Sequence, residues 1–198
     1  MKNFNKPPTK YDNQNHLIED VGMVTYFQSV TGYGRANCVQ LFVVFMSRMI
    51  NIYFMPSKEQ GHVVQAYKDF MREEGAPACL HRDCSHEQNV QEIVDLNRDM
   101  RVKDSYSEPG CPNQNPVENL GVRIIKMAAE GLKIRTGAPD FLWPLMHKYL
   151  ADVNNHCATP FLGWITPIQK RHGHIPDISP FLNFSFYEPV YFKLNDED

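Results

Sequence analysis

The sequence predicts an α/β domain on a mixed five-stranded sheet, in which an antiparallel three-strand meander is followed by two strands reached through crossover helices, with helices flanking the sheet. Three observations carry that expectation. Three apolar, β-branched and aromatic runs follow one another before any helical period begins. The period then alternates between helix and strand, and two further helical patterns close the series as β-β-β-α-β-α-β-α-α. The 198 residues are 42% hydrophobic and 22% charged, which supplies one core of ordinary size and excludes a wholly disordered chain.

Residues 1–18, rich in Asn, Lys, Pro and Gln, read as a flexible lead with nothing to bury. Residues 22–27 form the first strand candidate. Gly32-x-Gly34 reads as a turn, because no helix follows it as a phosphate-binding loop would require. Residues 38–46 and 49–55, parted by Ser47-Arg48, pair as a hairpin. From Ser57 the spacing of Val63, Val64, Tyr67, Phe70 and Met71 is helical, with Ser57 as the expected cap, Glu59 in the first turn and Gly75 as the stop. Residues 78–80 form a short buried strand, 87–96 a second helix and 101–106 a fifth strand. A Pro, Gly and Asn loop at 108–116 opens into a long helix from Val117 to about Arg135, ended by Thr136-Gly137, and another helix spans 141–154. Residues 19–157 are thus the expected core. Residues 158–198, punctuated by Pro and aromatics and ending in acids, are expected to be an irregular C-terminal extension.

Charge excludes little and advertises less. Lys plus Arg number 20 against 23 acids, a net charge of -3, so any nucleic-acid contact has to be local. No apolar run approaches the ~20 residues that cross a bilayer, so no membrane partner is expected, and no secretion signal precedes the fold. Cys38, Cys79, Cys84, Cys111 and Cys157 are odd in number and form no C-x-x-C pair, which points to a reducing intracellular compartment.

Two carboxylates stand out by position. Asp83 ends a short apolar strand, and Glu118 lies in the first turn of the long helix, 35 residues later (118 − 83). Such a pair suits a hard divalent cation, which takes oxygen ligands and keeps open positions for phosphate and water. Each alone has an ordinary structural use, the Glu against the helix dipole and the Asp in capping a turn.

That pair, the strand order and the segment Asn113-Gln114-Asn115-Pro116-Val117-Glu118-Asn119 together resemble the integrase catalytic core of copia-like retrotransposons and retroviruses, an RNase H-like fold. The likeness extends over roughly residues 20–192. It includes the Phe45-Met46-Ser47-Arg48-Met49 turn, Ser57-Lys58 opening the next helix, Gly137-Ala138-Pro139-Asp140-Phe141-Leu142-Trp143, Asn154-Asn155-His156, and Thr159-Pro160-Phe161-Leu162-Gly163-Trp164 with Thr166-Pro167. The resemblance implies a polynucleotidyl transferase acting on DNA ends with Mg²⁺ or Mn²⁺ held by two Asp and one Glu, in a homo-oligomer on DNA. Asp83 and Glu118 match the second Asp and the Glu.

The first Asp is where the sequence departs: Val24-Thr25-Tyr26-Phe27 stands where the family has Asp-Thr. Valine cannot ligate, and two-metal displacement at phosphorus relies on that carboxylate as the bridge, so catalysis is expected to be impaired or absent. Asp20 is no substitute, because four strand residues place its Cα ~13 Å away. Cys84-Ser85 replaces the usual Asn-Gly, Gly121-Val122 occupies positions that are often polar, and the family's zinc-binding module is not seen ahead of the core. Arg123, Lys126, Lys133 and Arg135 give the long helix a basic face that either follows a phosphate backbone or is merely solvated.

Rival readings are a non-catalytic nucleic-acid-binding or oligomerisation module of the same fold and an RNase H-type nuclease using other acids. His81, Asp83, Cys84 and His86 suggest a zinc or Cys-His site, against which stand their spacing and strand alternation. Phe181, Phe184, Phe186, Tyr187, Tyr191 and Phe192 either stack bases or pack a hydrophobic edge.

Overall fold

The computed structural model describes residues 18–83, 90–107 and 116–191. The expected lead at 1–17, Cys84, His86, the start of the second helix, the 108–115 loop with Cys111, Phe192 and the acidic end lie outside the described residues.

Strands β1 (Ile18–Phe27), β2 (Cys38–Val44), β3 (Met49–Met55), β4 (Pro77–Arg82) and β5 (Lys103–Tyr106) form one sheet in the order β3-β2-β1-β4-β5. β1, β2 and β3 are antiparallel neighbours, and β4 and β5 add in parallel. Helix α1 (Gln60–Glu74) links β3 to β4, and α2 (Gln91–Asp99) leads to β5. After Glu118–Val122, a single π-helical turn, come α3 (Arg123–Thr136), α4 (Trp143–His156), α5 (Pro167–His172) and α6 (Ser179–Asn183). The mixed five-stranded sheet flanked by helices is therefore as the sequence predicts. Two details differ. Ser57 does not cap α1, which starts at Gln60, and its Oγ instead accepts from Glu59 N at 3.4 Å and contacts His62 Nδ1 at 2.9 Å. Residues 158–191 are also less irregular than expected, since α5 packs on α4 and β3.

Strand alternation distributes two cores. Val21, Met23, Cys38, Phe42 and Leu80 face α1 and α2, where Phe42 stacks on Phe70 at 4.4 Å. Val24, Tyr26, Val39, Leu41, Val43 and Ile52 face α3 and α4 with Val117, Val122, Ile125 and Trp143. β2 is buried along its whole length because both of its faces are covered.

The motifs that carried the resemblance turn out to be fasteners. Trp143 Nε1 donates to Val30 O at 2.8 Å and meets Phe54 edge-on, while Gly32 lies so close that a Cβ there would sit 2.6 Å from Trp143 Nε1. Asn155 bonds both the N–H (2.9 Å) and the carbonyl (2.8 Å) of Ile50, sealing the outer edge of β3. Thr166 Oγ1 accepts from Gln169 N at 3.0 Å and Pro167 fills the first helical position, which starts α5. Arg171 then donates to Glu74 O at 2.6 Å, joining α5 to the end of α1.

Candidate active-site face

β1 and β4 are paired with a constant offset of 59 residues (77 − 18 and 81 − 22), from Ile18 with Pro77 to Gly22 with His81. The pairing ends at Gly22 with His81; the same offset (83 − 24) continued two residues further would set Val24 level with Asp83, one residue past the end of β4. Alternation gives Asp83 the face of Cys79 and His81. That face is the one covered by the helix bearing Glu118: a Cβ on Gly22 would collide with Val117 Cγ2 and reach Phe45 Cζ at 2.7 Å, and Phe45 stacks near His81 at 5.2 Å between centroids. On the other side of Glu118, a Cβ on Gly121 would come within 2.6 Å of Leu41 Cδ2. Two glycines thus let the first turn of this helix lie almost on the backbone of β1 and β2. The π-helical geometry of Glu118–Val122 accommodates that approach by widening the turn.

Position 24 is part of the core. Val24 is only 4% exposed and packs in the cluster that contains Val117, Val122 and Ile125. Asp83 is half-buried and Glu118 is exposed. Asp83 and Glu118 each offer the oxygen donor that a hard divalent cation takes, whereas the aliphatic side chain at 24 offers no ligand.

The four basic residues do not share one flank. At 100° per residue, Arg123, Lys126 and Lys133 fall within about 80° of one another, and Arg135 lies about 160° round from Lys133. Lys126 Nζ sits 4.9 Å over the Tyr26 ring and Lys133 is ion-paired with Asp140. Both border a cleft of about 350 Å³ whose wall includes Phe27, Val30, Trp143 and His147. Behind it, the lining residue His147 has its Nδ1 3.0 Å from Tyr26 Oη. Burial pushes the Tyr26 phenol up, so it keeps its proton. Burial, with Lys126 nearby, pushes His147 down to about 4. Tyr26 entered the sequence reading only as a strand residue and His147 not at all, since nothing there marks them as partners 121 residues apart.

Sequence reasoning also missed a cluster on the same sheet face. Asp20, Cys79 and His81 bring ligand atoms within 4.8 Å of one another, and Asp20 Oδ2 is 3.3 Å from His81 Nε2. The signal was Cys79-Leu80-His81, two ligand types one residue apart on a strand, but only the β1–β4 register adds Asp20. Of the rival zinc set, His81 is the described member of this cluster.

No protein-family model and no curated protein matches the chain. Solved structures do. A chain of the simian T-cell lymphotropic virus intasome superposes with a TM-score of 0.66 at 12% identity over 82% of this chain, which spans 58% of that chain's length. The HTLV-2 integrase catalytic core domain in complex with magnesium, in its dimeric form, gives 0.60 at 15% identity, covering 80% of this chain and 97% of that one. The BIV integrase catalytic core domain gives 0.60 at 15% identity over 78% and 93%. With the strand order and crossovers above, the chain has the fold of a retroviral integrase catalytic core, within the RNase H-like class.

Proposed function

We propose that this chain is an integrase-type polynucleotidyl transferase core whose strand-transfer chemistry is disabled at its first carboxylate position, and that it retains DNA binding and self-association. The observation that supports the reading is Val24, sealed in an apolar cluster at 4% exposure on the strand that pairs in parallel with β4. Asp83 and Glu118 hold one Mg²⁺ or Mn²⁺ weakly. The ion lends positive charge for phosphate oxygens, and without a bridging carboxylate the attacking and leaving oxygens lack their paired stabilisation.

DNA is gripped by the flank formed by Arg123, Lys126 and Lys133, with Arg135 contributing from the far side of α3. Self-association fits the outward side of α3, where Ile124, Met127 and Ile134 are 41%, 61% and 86% exposed along one stripe. A second copy of the chain is the occupant this reading assigns, in keeping with the dimeric and trimeric forms of the HTLV-2 integrase core. Among the described residues no helix is long and apolar enough to cross a membrane, and the function proposed here places the chain inside the cell, in the nucleus or a cytoplasmic particle.

The test is a nicking and strand-transfer assay on labelled duplex ends with Mg²⁺ and with Mn²⁺. The native chain should give no metal-dependent product while shifting the duplex in a binding assay. Metal-dependent product from the native sequence, abolished by Asp83→Asn or Glu118→Gln, overturns the proposal.

A further inference from the structure

We propose that Asp20, Cys79 and His81 form a binding site for a Zn²⁺-type divalent cation, independent of the reading of Val24 and of any Mg²⁺ at Asp83 and Glu118. Backbone register builds the site. Asp20 and Cys79 are direct partners across the parallel β1–β4 pair, and His81 is two residues further along β4 on the same face, so the three side chains rise side by side from two adjacent strands. Their ligand atoms already converge within 4.8 Å. The 3.3 Å between Asp20 Oδ2 and His81 Nε2 matches the edge of a tetrahedron with bonds of about 2.0 Å, which is about 3.3 Å.

The donor set selects the ion. Thiolate, imidazole and carboxylate together suit a borderline cation, whereas Mg²⁺ wants oxygen in an octahedron and gains little from sulfur. Three protein ligands leave a fourth tetrahedral position. It is reachable from solvent, since the Asp20 and His81 side chains are 53% and 31% exposed. The site is therefore of the open kind, with water completing the shell.

Binding requires two changes of proton. Burial, reinforced by the Asp20 carboxylate, keeps the proton on the Cys79 thiol in the metal-free chain. On binding, the S–H bond breaks, the proton leaves to solvent and the sulfur lone pair forms the metal–sulfur bond. The hydrogen that His81 Nε2 shares with Asp20 leaves that nitrogen, and Nδ1 carries the ring's one hydrogen, so His81 ligates through Nε2 as the neutral imidazole. The Asp20–His81 hydrogen bond is then replaced by two bonds to one ion, and the cation becomes a clasp between the central strand and β4.

The experiment uses the full chain, reduced and stripped with a chelator, titrated first with Co²⁺ and then with Zn²⁺. Expected are a near-ultraviolet thiolate-to-cobalt band together with strong visible bands of a tetrahedral ion, saturating at one equivalent and erased by one equivalent of Zn²⁺. Millimolar Mg²⁺ should not displace the cobalt. Cys79→Ser should remove the thiolate band, and His81→Gln and Asp20→Asn should each weaken Zn²⁺ binding at least tenfold, with far-ultraviolet circular dichroism confirming that each variant folds. Cys84→Ser and Cys157→Ser should leave the band in place. The assignment is overturned if the native chain shows no thiolate–cobalt band, if the band survives Cys79→Ser, or if Cys84→Ser or Cys157→Ser abolishes it.

Discussion

Restoring an acid at position 24 gives a direct test of the register. Val24 is 4% exposed, so Val24→Asp gives up the burial of a valine, about 1.5–3 kcal/mol, and places a carboxylate among Val117, Val122 and Ile125. An uncompensated buried charge costs about 3–5 kcal/mol, and protonation of the new carboxyl limits the total to that order. For a domain of this size each kcal/mol shifts Tm by about 2–4 °C, so the metal-free variant should melt roughly 6–20 °C below the native chain. Divalent metal should reverse much of this if position 24 is level with Asp83. At a hundred times Kd an ion contributes about 2.7 kcal/mol, a recovery of roughly 5–10 °C, whereas an ion at its Kd contributes only about 0.4 kcal/mol, or roughly 1 °C, as expected for the native pair. Differential scanning fluorimetry with and without Mn²⁺ reads both numbers. Equal metal shifts in the native chain and the variant would show that position 24 does not face Asp83 and Glu118, and would refute the reasoning.

Other perturbations test the supports of that face. Replacing Arg123 and Lys126 together by Gln should weaken duplex binding and lower the salt slope by about 2, while Arg135→Gln should lower it by less, both read by fluorescence anisotropy against salt. Gly22→Ala forces a methyl into Val117 and Phe45 and should destabilise by about 1–3 kcal/mol in urea unfolding; a neutral result would mean that the Glu118 turn is not seated on β1. Asp104→Ala removes the carboxylate 2.7 Å from Arg82, which is 1% exposed and still donates to Tyr106 Oη at 2.6 Å, and should cost up to about 3–5 kcal/mol in the same assay. His147, held at about 4 against an ordinary 6.5, is neutral in the fold and takes up its proton more readily when unfolded. Its contribution is complete above pH 6.5 and is lost as pH falls from there towards 4, at most about 3 kcal/mol. The native chain should therefore lose stability more steeply over that interval than His147→Gln.

How much of this was legible depended on how local the signal was. The hairpin of β2 and β3 turns around Ser47-Arg48, and α1 and α3 stop at Gly75 and Gly137, where glycine takes positive φ without strain, +96° and +66°. Trp143, Asn155 and Thr166 could be marked in the sequence as family motifs, yet their use as anchor, edge seal and helix cap needed coordinates. Ser57 misled because its hydroxyl satisfies a turn before the helix and not the helix itself. The Asp20–Cys79–His81 cluster was hidden for a physical reason: a parallel register brings residues 59 positions apart side by side, and no residue in either strand announces that offset. Arg135 joined the basic face on composition, and the helical angle separates it.

Under the proposed reading, the same packing explains how the fold persists without a first acid. Every fastener described above, from Trp143 on Val30 to Asn155 on Ile50, acts on strands and helices and not on the carboxylates. Position 24 sits at the middle of the core, where an aspartate is tolerable only while a cation offsets it. Once metal binding brings no advantage, the balance of burial against charge favours an aliphatic residue there by several kcal/mol. Asp83 and Glu118 face no such pressure, since a half-buried strand-end Asp and an exposed Glu in a helix's first turn are stable without a metal. Loss of the buried acid and persistence of the two outer ones is therefore the order in which physical chemistry would dismantle such a site.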